Sequence, residues 1–284
     1  MKTDREKAID CMDIYLKSLE SSTNPKDKKK ISLISYWMKD YCNYLRKESE
    51  FNPKSLKRYE RGDIIKVNLG YNIGSEEGGL HYAIVLDKNN AFNSSVITII
   101  PLTSIKNNPN EAHENDIVLG NEIYIKLQGK SKQMMQKAES EHQQIKSNLN
   151  IIAKRIDISK EIKEMLSSNN IEDAEKSIQT LVPGFKGDVK KKIDEITEEH
   201  VIALNSASSR LEESIRQIEV IKKIDREINR MKKGSIALME QITTISKLRI
   251  YDPKNSYSVL NGIKLSSDSL DKIDEGIRKL YISK

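Results

Sequence analysis

The chain has 284 residues, of which 37% are hydrophobic and 32% are charged, and its formal net charge is +6. This length allows one large or two modest domains, and the low apolar content favours a small core with long solvated helices. An aromatic content of 5% argues against a large β-sandwich. No apolar run approaches the roughly 18 residues of a membrane span. Charged residues also interrupt the N-terminus, so we expect a soluble, cytoplasmic protein with no signal peptide and no membrane partner.

The charge and the reactive residue types narrow the chemistry further. A mild basic excess is compatible with a nucleic-acid partner but does not require one. Cys11 and Cys42 are predicted to be reduced thiols. No spacing of His, Cys, Asp and Glu suggests a metal site, and neither a P-loop nor a dinucleotide fingerprint is present, so we expect no cofactor.

The first fifty residues are predicted to form two helices separated at Asn24-Pro25. Apolar residues recur at intervals of three and four on both sides of this break. The two stripes are Ile9, Met12, Leu16 and Leu19, then Ile31, Ile34, Met38, Tyr41 and Leu45. We expect the helices to bury these stripes, and Trp37 to belong to a core rather than to a ligand site. Residues 51–60 are interpreted as a linker.

Three strands are predicted between residues 61 and 104. The segments from Ile64 to Leu69, from Tyr82 to Leu86 and from Val96 to Leu102 are apolar or β-branched, and Gly, Asn, Pro or Ser bound each of them. In the first segment, polar residues fall at the alternate positions 66 and 68. A Gly-rich loop, GSEEGG at residues 74–79, joins the first two strands, and an Asn-rich turn at residues 89–90 joins the second and third.

This stretch resembles the opening of the PemK/MazF family of toxin endoribonucleases. The matching pieces follow in the family's order: Arg61-Gly62-Asp63, the 74–79 loop, Ala83 to Leu86, Asn89-Asn90, and Pro101 to Ser104. Residues 235–250, SIALMEQITTISKLRI, are similar to the second half of the family pattern, and residues 270–282 resemble its terminal helix. The resemblance implies an α+β fold with a small SH3-like β-barrel, here interrupted by a long insertion.

The insertion, residues 131–232, is predicted to be an antiparallel coiled-coil hairpin. Heptad-like apolar stripes with charged flanks run through two long segments, and turn residues at Asn169-Asn170 and Pro183-Gly184 separate them. A hairpin returns to its starting point, so it can leave and re-enter a barrel. The predicted organisation is an N-terminal helical extension with linker (1–56), a first barrel part (57–130), the hairpin (131–232), and a second barrel part with the C-terminal helix (233–284).

In the family that this chain resembles, an Arg after the Gly-rich loop and a Ser or Thr ending the third strand form the catalytic pair. Thr103 matches the Thr, whereas His81 stands at the Arg position. His81 is either a general acid or base with Thr103 orienting the phosphate, or a polar residue on a barrel that no longer cuts. Glu76 is a third catalytic candidate that would polarise His81 or orient the 2′-hydroxyl, or else a solvated loop acid. Arg61 and Arg249 are candidates for the missing positive charge.

Five further polar residues are candidates for RNA binding. Ser75 and Ser104 could donate hydrogen bonds to phosphate, although turn capping also explains them. Lys88, Asn89 and Asn90 form a polar turn that could contact RNA backbone or base edges, or that is simply a hairpin turn.

The resemblance implies a metal-independent endoribonuclease toxin that cuts single-stranded RNA, such as mRNA, through attack by the 2′-hydroxyl. Its partners would be a cognate antitoxin and a second copy in a homodimer. Two other hypotheses stay open. The chain could be a CcdB-like barrel toxin that binds a protein such as DNA gyrase, or residues 1–50 and 131–232 could cover the RNA groove as a built-in inhibitor.

Overall fold

The computed structural model describes residues 2–105, 113–232 and 234–282. Contacts divide the chain into two compact units, Met1–Leu127 with Glu227–Lys284, and Gln128–Arg226. The first unit contains the sheet and the terminal helices, and the second is helical. No helix among the described residues is long and apolar enough to cross a membrane.

The two N-terminal helices, α1 (Asp4–Ser21) and α2 (Pro25–Glu48), are where the periodicity predicts them. Thr3 and Glu6 form a reciprocal capping box at the start of α1, and Asn24 caps α2 by accepting from the Lys26 amide. The expected burial of both stripes is wrong, because within them only Leu19 and Ile34 are buried. The exposed members include Ile9, Met12, Met38, Tyr41 and Leu45.

The sheet contains seven antiparallel strands. They are β1 (Ile64–Asn68), β2 (Leu80–Val85), β3 (Val96–Ser104), β4 (Ile117–Gly120), β5 (Ser235–Ala237), β6 (Thr243–Ser246) and β7 (Ile250–Asp252). Their order is β4-β5-β3-β2-β1-β7, and β6 also pairs with β3. The β-branched residues of β1 to β3 suit a pleated, buried surface, and their side chains form the core beneath Tyr59.

Strands from both ends of the sequence complete one sheet. The nine-residue strand β3 pairs through its first half with β6, as in Val96↔Ser246, and through its last residues with β5, as in Leu102↔Ala237. Strand β7 pairs with β1. An antiparallel sheet with N-terminal helices and a long helix between its strands confirms the predicted fold class. The chain ends with α6 (Ser267–Tyr281), whose cap Ser266 accepts from the Ser269 amide.

Three helices follow β4: α3 (Glu122–Ser167), α4 (Ile171–Leu181) and α5 (Val189–Arg230). With 46 and 42 residues, α3 and α5 are each over 60 Å long at about 1.5 Å per residue. The short helix α4 occupies the segment that the sequence predicts to be a turn. Its apolar residues Ala174, Ile178 and Leu181 are buried at one-turn spacing, a pattern too short to stand out between two sets of turn residues.

Candidate functional site

A cleft of about 250 Å³ opens where β2 starts and β3 ends. Strands β1 to β3 contribute Lys66, Leu80, His81, Tyr82, Leu102, Thr103 and Ser104. The end of α5 and the segment after it contribute Glu227, Arg230, Met231, Lys232, Gly234 and Ser235. We refer to this surface as the His81 cleft.

Strand register assembles the His81 cleft. Lys66 of β1 lies opposite Tyr82 of β2, and Tyr82 lies opposite Leu102 of β3. On the other side of β3, Ser104 lies opposite Ser235 of β5. A shift of one residue in any of these pairings would turn the side chains to the other face of the sheet.

His81 is held through both ring nitrogens. Its Nδ1 lies 3.1 Å from the carbonyl oxygen of Leu102, and its Nε2 lies 3.0 Å from Oε1 of Glu77. A carbonyl and a carboxylate are both acceptors, so both contacts are hydrogen bonds only when each ring nitrogen carries a proton. The two contacts hold the ring between the end of β3 and the Gly-rich loop.

The carboxylate that contacts His81 belongs to Glu77 and not to its neighbour Glu76. The exposed side chain of Glu76 turns back within the Gly-rich loop, where Oε2 lies 3.4 Å from the amide nitrogen of Ile73. Both acids also line a second cavity of about 390 Å³ that adjoins the loop. Glu240 and Arg249 line the same cavity, so three carboxylates and one guanidinium surround it.

Gln241 fixes the Gly-rich loop from the far half of the sequence. Its Oε1 accepts from the Glu77 amide at 2.8 Å, and its Nε2 donates to the Ser75 carbonyl at 2.9 Å. The side chain of Asn72 donates to the Glu77 carbonyl at 2.7 Å. These bonds position the backbone of Glu77 and hence the carboxylate that faces His81. Ser75 itself is exposed, and its carbonyl serves the loop.

One wall of the His81 cleft is a network of three side chains. Glu227 accepts hydrogen bonds from the Lys66 ammonium and the Tyr82 hydroxyl, and the ammonium lies 5.1 Å from the centre of the Tyr82 ring. Burial and the bond to Glu227 raise the pKa of Tyr82. Burial alone would raise the pKa of Glu227, but its bonds with Lys66 and Tyr82 outweigh burial and lower it. Glu227 is therefore a fixed negative charge.

Thr103 and Ser104 are half-buried at the end of β3 and line the cleft together. Within the described part of the chain, the hydroxyl of Thr103 forms no hydrogen bond with a protein group. It is therefore available to a ligand that reaches the cleft.

The polar turn at residues 88–90 lies elsewhere, after the opposite end of β2. Lys88 and Asn89 are exposed there. Asn90 is buried and donates to Asp87 at 2.5 Å and to the Val96 carbonyl at 3.0 Å. The structure does not bring these three candidates to the His81 cleft. The side chain of Asn90 instead stabilises the turn through its hydrogen bonds.

The two arginine candidates are engaged in the fold. Arg61 donates to the Leu86 carbonyl at 2.6 Å and pairs with Asp274. Arg249 donates to the carbonyls of Asn68 and Leu69, and its guanidinium lies 5.3 Å from the Trp37 ring. Neither arginine lines the His81 cleft.

Sequence reasoning missed Tyr82, Glu227 and Arg230 of the cleft, and it missed Glu77, which contacts His81 from the Gly-rich loop. A partial signal existed for their neighbour Lys66, a charged residue within an apolar strand. No comparable signal marks Glu227 and Arg230, because they lie in a helix that is rich in charged residues throughout.

The sequence model of the family described as PemK-like, MazF-like toxin of type II toxin-antitoxin system matches residues 60–182. This range includes β1 to β4, α3 and α4, and it contains His81 and Thr103. Strands β5 to β7 lie outside it although they pair with strands inside it. Comparison with curated proteins gives no match.

Proposed function

We propose that the chain is a toxin of the PemK-like, MazF-like type, whose family model matches residues 60–182, and that it is a metal-independent endoribonuclease that cuts single-stranded RNA. The observation that carries this proposal is the position of His81 in one cleft with Thr103, whose hydroxyl has no hydrogen-bond partner among the described residues. In this proposal mRNA is the substrate, a homodimer is the active form, and a cognate antitoxin holds it inactive.

The reaction exchanges one phosphorus–oxygen bond for another. The ribose 2′-oxygen bonds to phosphorus and loses its proton, while the bond from phosphorus to the 5′-oxygen breaks and that oxygen gains a proton. The products are a 2′,3′-cyclic phosphate and a 5′-hydroxyl. A protein accelerates this exchange by supplying a proton to the leaving oxygen and by stabilising the charge on the phosphorane.

We assign the proton donor to His81. Its Nδ1–H is committed to the Leu102 carbonyl, so the proton at Nε2 is the transferable one. When RNA enters, this proton passes from Nε2 to the leaving 5′-oxygen, and the proton of the 2′-hydroxyl passes to solvent. Before RNA binds, the carboxylate of Glu77 holds the His81 ring in place. The hydroxyl of Thr103, which no described residue binds, donates a hydrogen bond to a non-bridging phosphate oxygen.

The first test is cleavage of a mixed-sequence single-stranded RNA by the purified protein in the presence of EDTA. We expect wild type to cut and leave 2′,3′-cyclic phosphate ends, and His81→Ala and Thr103→Ala each to lose about 10²-fold or more in rate. His142→Ala is the matched control, because His142 is exposed on α3 and outside the cleft. Equal rates for His81→Ala and His142→Ala would remove His81 from the mechanism.

A second pair of variants separates the two loop acids. Glu77→Gln removes the charge 3.0 Å from the His81 Nε2 and is expected to slow cleavage at least 10-fold. Glu76→Gln changes an exposed carboxylate that contacts only its own loop, so its rate should stay within twofold. If Glu76→Gln were the slower variant, the assignment of Glu77 would be wrong. If wild type cut no RNA at all, the endoribonuclease proposal would fail.

A further inference from the structure

Two of the positive charges at the His81 cleft are already neutralised. The Lys66 ammonium is paired with Glu227, and the His81 ring lies against the carboxylate of Glu77. Arg61 and Arg249 are bound to other parts of the fold. To bind a phosphate strongly, the cleft needs a cation that is not already in an ion pair with a protein carboxylate.

Arg230 and Lys232 both line the cleft and meet this requirement, and of the two Arg230 carries a guanidinium, which suits two phosphate oxygens. Arg230 is the last residue of α5, it is exposed, and it lines the cleft with Thr103 and Ser104. Among the described residues its guanidinium forms no ion pair, although its charge helps to lower the pKa of Glu227. No carboxylate of the described residues neutralises this guanidinium by an ion pair.

The end of α5 is fixed beside the strands. Glu227 lies three residues before Arg230, so both side chains leave the same face of the helix. Glu227 in turn accepts hydrogen bonds from Lys66 of β1 and Tyr82 of β2. This anchor holds the backbone of Arg230 at the cleft without using its guanidinium.

We propose that Arg230 binds the phosphate at the scissile bond and supplies the permanent positive charge that a histidine at position 81 does not. The inference rests on the proposed endoribonuclease function. A guanidinium offers two parallel N–H groups to two phosphate oxygens and stays protonated throughout. Arg230 therefore stabilises the charge on the phosphorane oxygens without giving up a proton, while His81 performs the proton transfer. In this proposal the site consists of residues from β1, β2 and β3 together with the last turn of α5.

The binding test uses a single-stranded 2′-O-methyl RNA, which cannot be cut. Its affinity is measured by fluorescence anisotropy over a series of salt concentrations. Loss of one phosphate contact in a single strand should reduce the slope of log Kobs against log salt by about 0.7. We expect this reduction for Arg230→Ala. Arg278→Ala is the matched control, because Arg278 is also an exposed arginine in the last turn of a helix, α6, of the same unit and lies outside the cleft.

The cleavage test asks whether the charge acts in the transition state. Arg230→Ala should lose about 10²-fold in kcat/KM, Arg230→Lys should lose less, and added guanidinium should partly restore Arg230→Ala but not His81→Ala. If Arg230→Ala kept the wild-type salt slope and rate, the inference would be overturned while the nuclease function stood. If wild type bound RNA with an Arg230-dependent slope but did not cut, phosphate binding would stand and the nuclease proposal would fail.

Discussion

Tyr82 donates its hydroxyl hydrogen to the carboxylate of Glu227, a residue 145 positions further along the chain. This bond connects the strand that carries His81 to the helix turn that carries Arg230. It makes the geometry of the cleft depend on two segments that are synthesised far apart.

Removal of that hydroxyl should weaken both the fold and the cleft. Tyr82→Phe leaves Glu227 paired with Lys66 alone, and loss of a hydrogen bond to a charged group costs about 1.5–3 kcal/mol. We expect a decrease of this size in the free energy of unfolding by urea, with slower RNA cleavage. Tyr251→Phe is the control, because the Tyr251 side chain is exposed. Equal stability of the two variants would show that the bond contributes nothing.

Gln241 should matter for activity more than for global stability. Gln241→Ala removes both side-chain bonds to the Gly-rich loop, so the Glu77 amide should exchange its hydrogen faster and RNA cleavage should slow about 10-fold. Gln179 provides a matched control, because it makes two equivalent bonds to its own loop at Gly184 and Phe185 in the helical unit. Gln179→Ala should leave cleavage unchanged, and an equal loss in both variants would argue against a local effect.

Gly70 is expected to tolerate no side chain. Its φ is +85°, and an added Cβ would lie 2.7 Å from the Trp37 ring. Gly262 has a similar φ of +78° but open space around it. Gly262→Ala should therefore lower the free energy of unfolding only by the cost of a left-handed backbone for alanine, about 1–2 kcal/mol. Gly70→Ala should cost about 1–3 kcal/mol more in urea unfolding, because of overpacking. In a Trp37→Leu background the two substitutions should cost nearly the same.

His200 should make the helical unit less stable in acid. Burial and the nearby charge of Arg155 lower the pKa of His200, and its Nε2 is buried with no hydrogen-bond partner among the described residues. The unfolded chain therefore binds this proton more readily, so the free energy of unfolding falls as pH drops below the ordinary value of about 6.5. His200→Leu should reduce the difference in unfolding free energy between pH 7.5 and pH 5, whereas His142→Leu should not. Parallel pH curves for wild type and His200→Leu would contradict this.

The sheet was predictable from the sequence because its strands carry local signals. The β-branched segments of β1 and β3 lie between turn residues. The later segment from Ser235 to Ile250 resembles the second half of the PemK/MazF sequence pattern. The pairing of both halves then follows, since strands with exposed backbone groups must find partners. The α4 helix was not predicted. Its eleven residues lie between two sets of turn residues, so the whole segment was interpreted as a turn.

The His81 cleft was predictable only in part, because its chemistry depends on long-range contacts. Glu76 and Glu77 show how little of a loop's geometry the sequence predicts. Glycines on both sides allow many backbone paths, and the side-chain bonds from Gln241 and Asn72 fix the one in which Glu77 faces His81. The contacts of Glu227 with Lys66 and Tyr82 join residues 161 and 145 positions apart, and neither spacing nor composition indicates them.

The place of β3 in the sheet has a consequence for biosynthesis. Its partners β5 and β6 follow only after the whole helical segment, so a growing chain carries β3 with one edge unpaired. At about 5–20 residues per second, translation of the intervening segment takes on the order of ten seconds. An unpaired edge is prone to association during that interval. The nascent protein therefore cannot complete the cleft and the pairing of β3 until the ribosome has translated α5, β5 and β6.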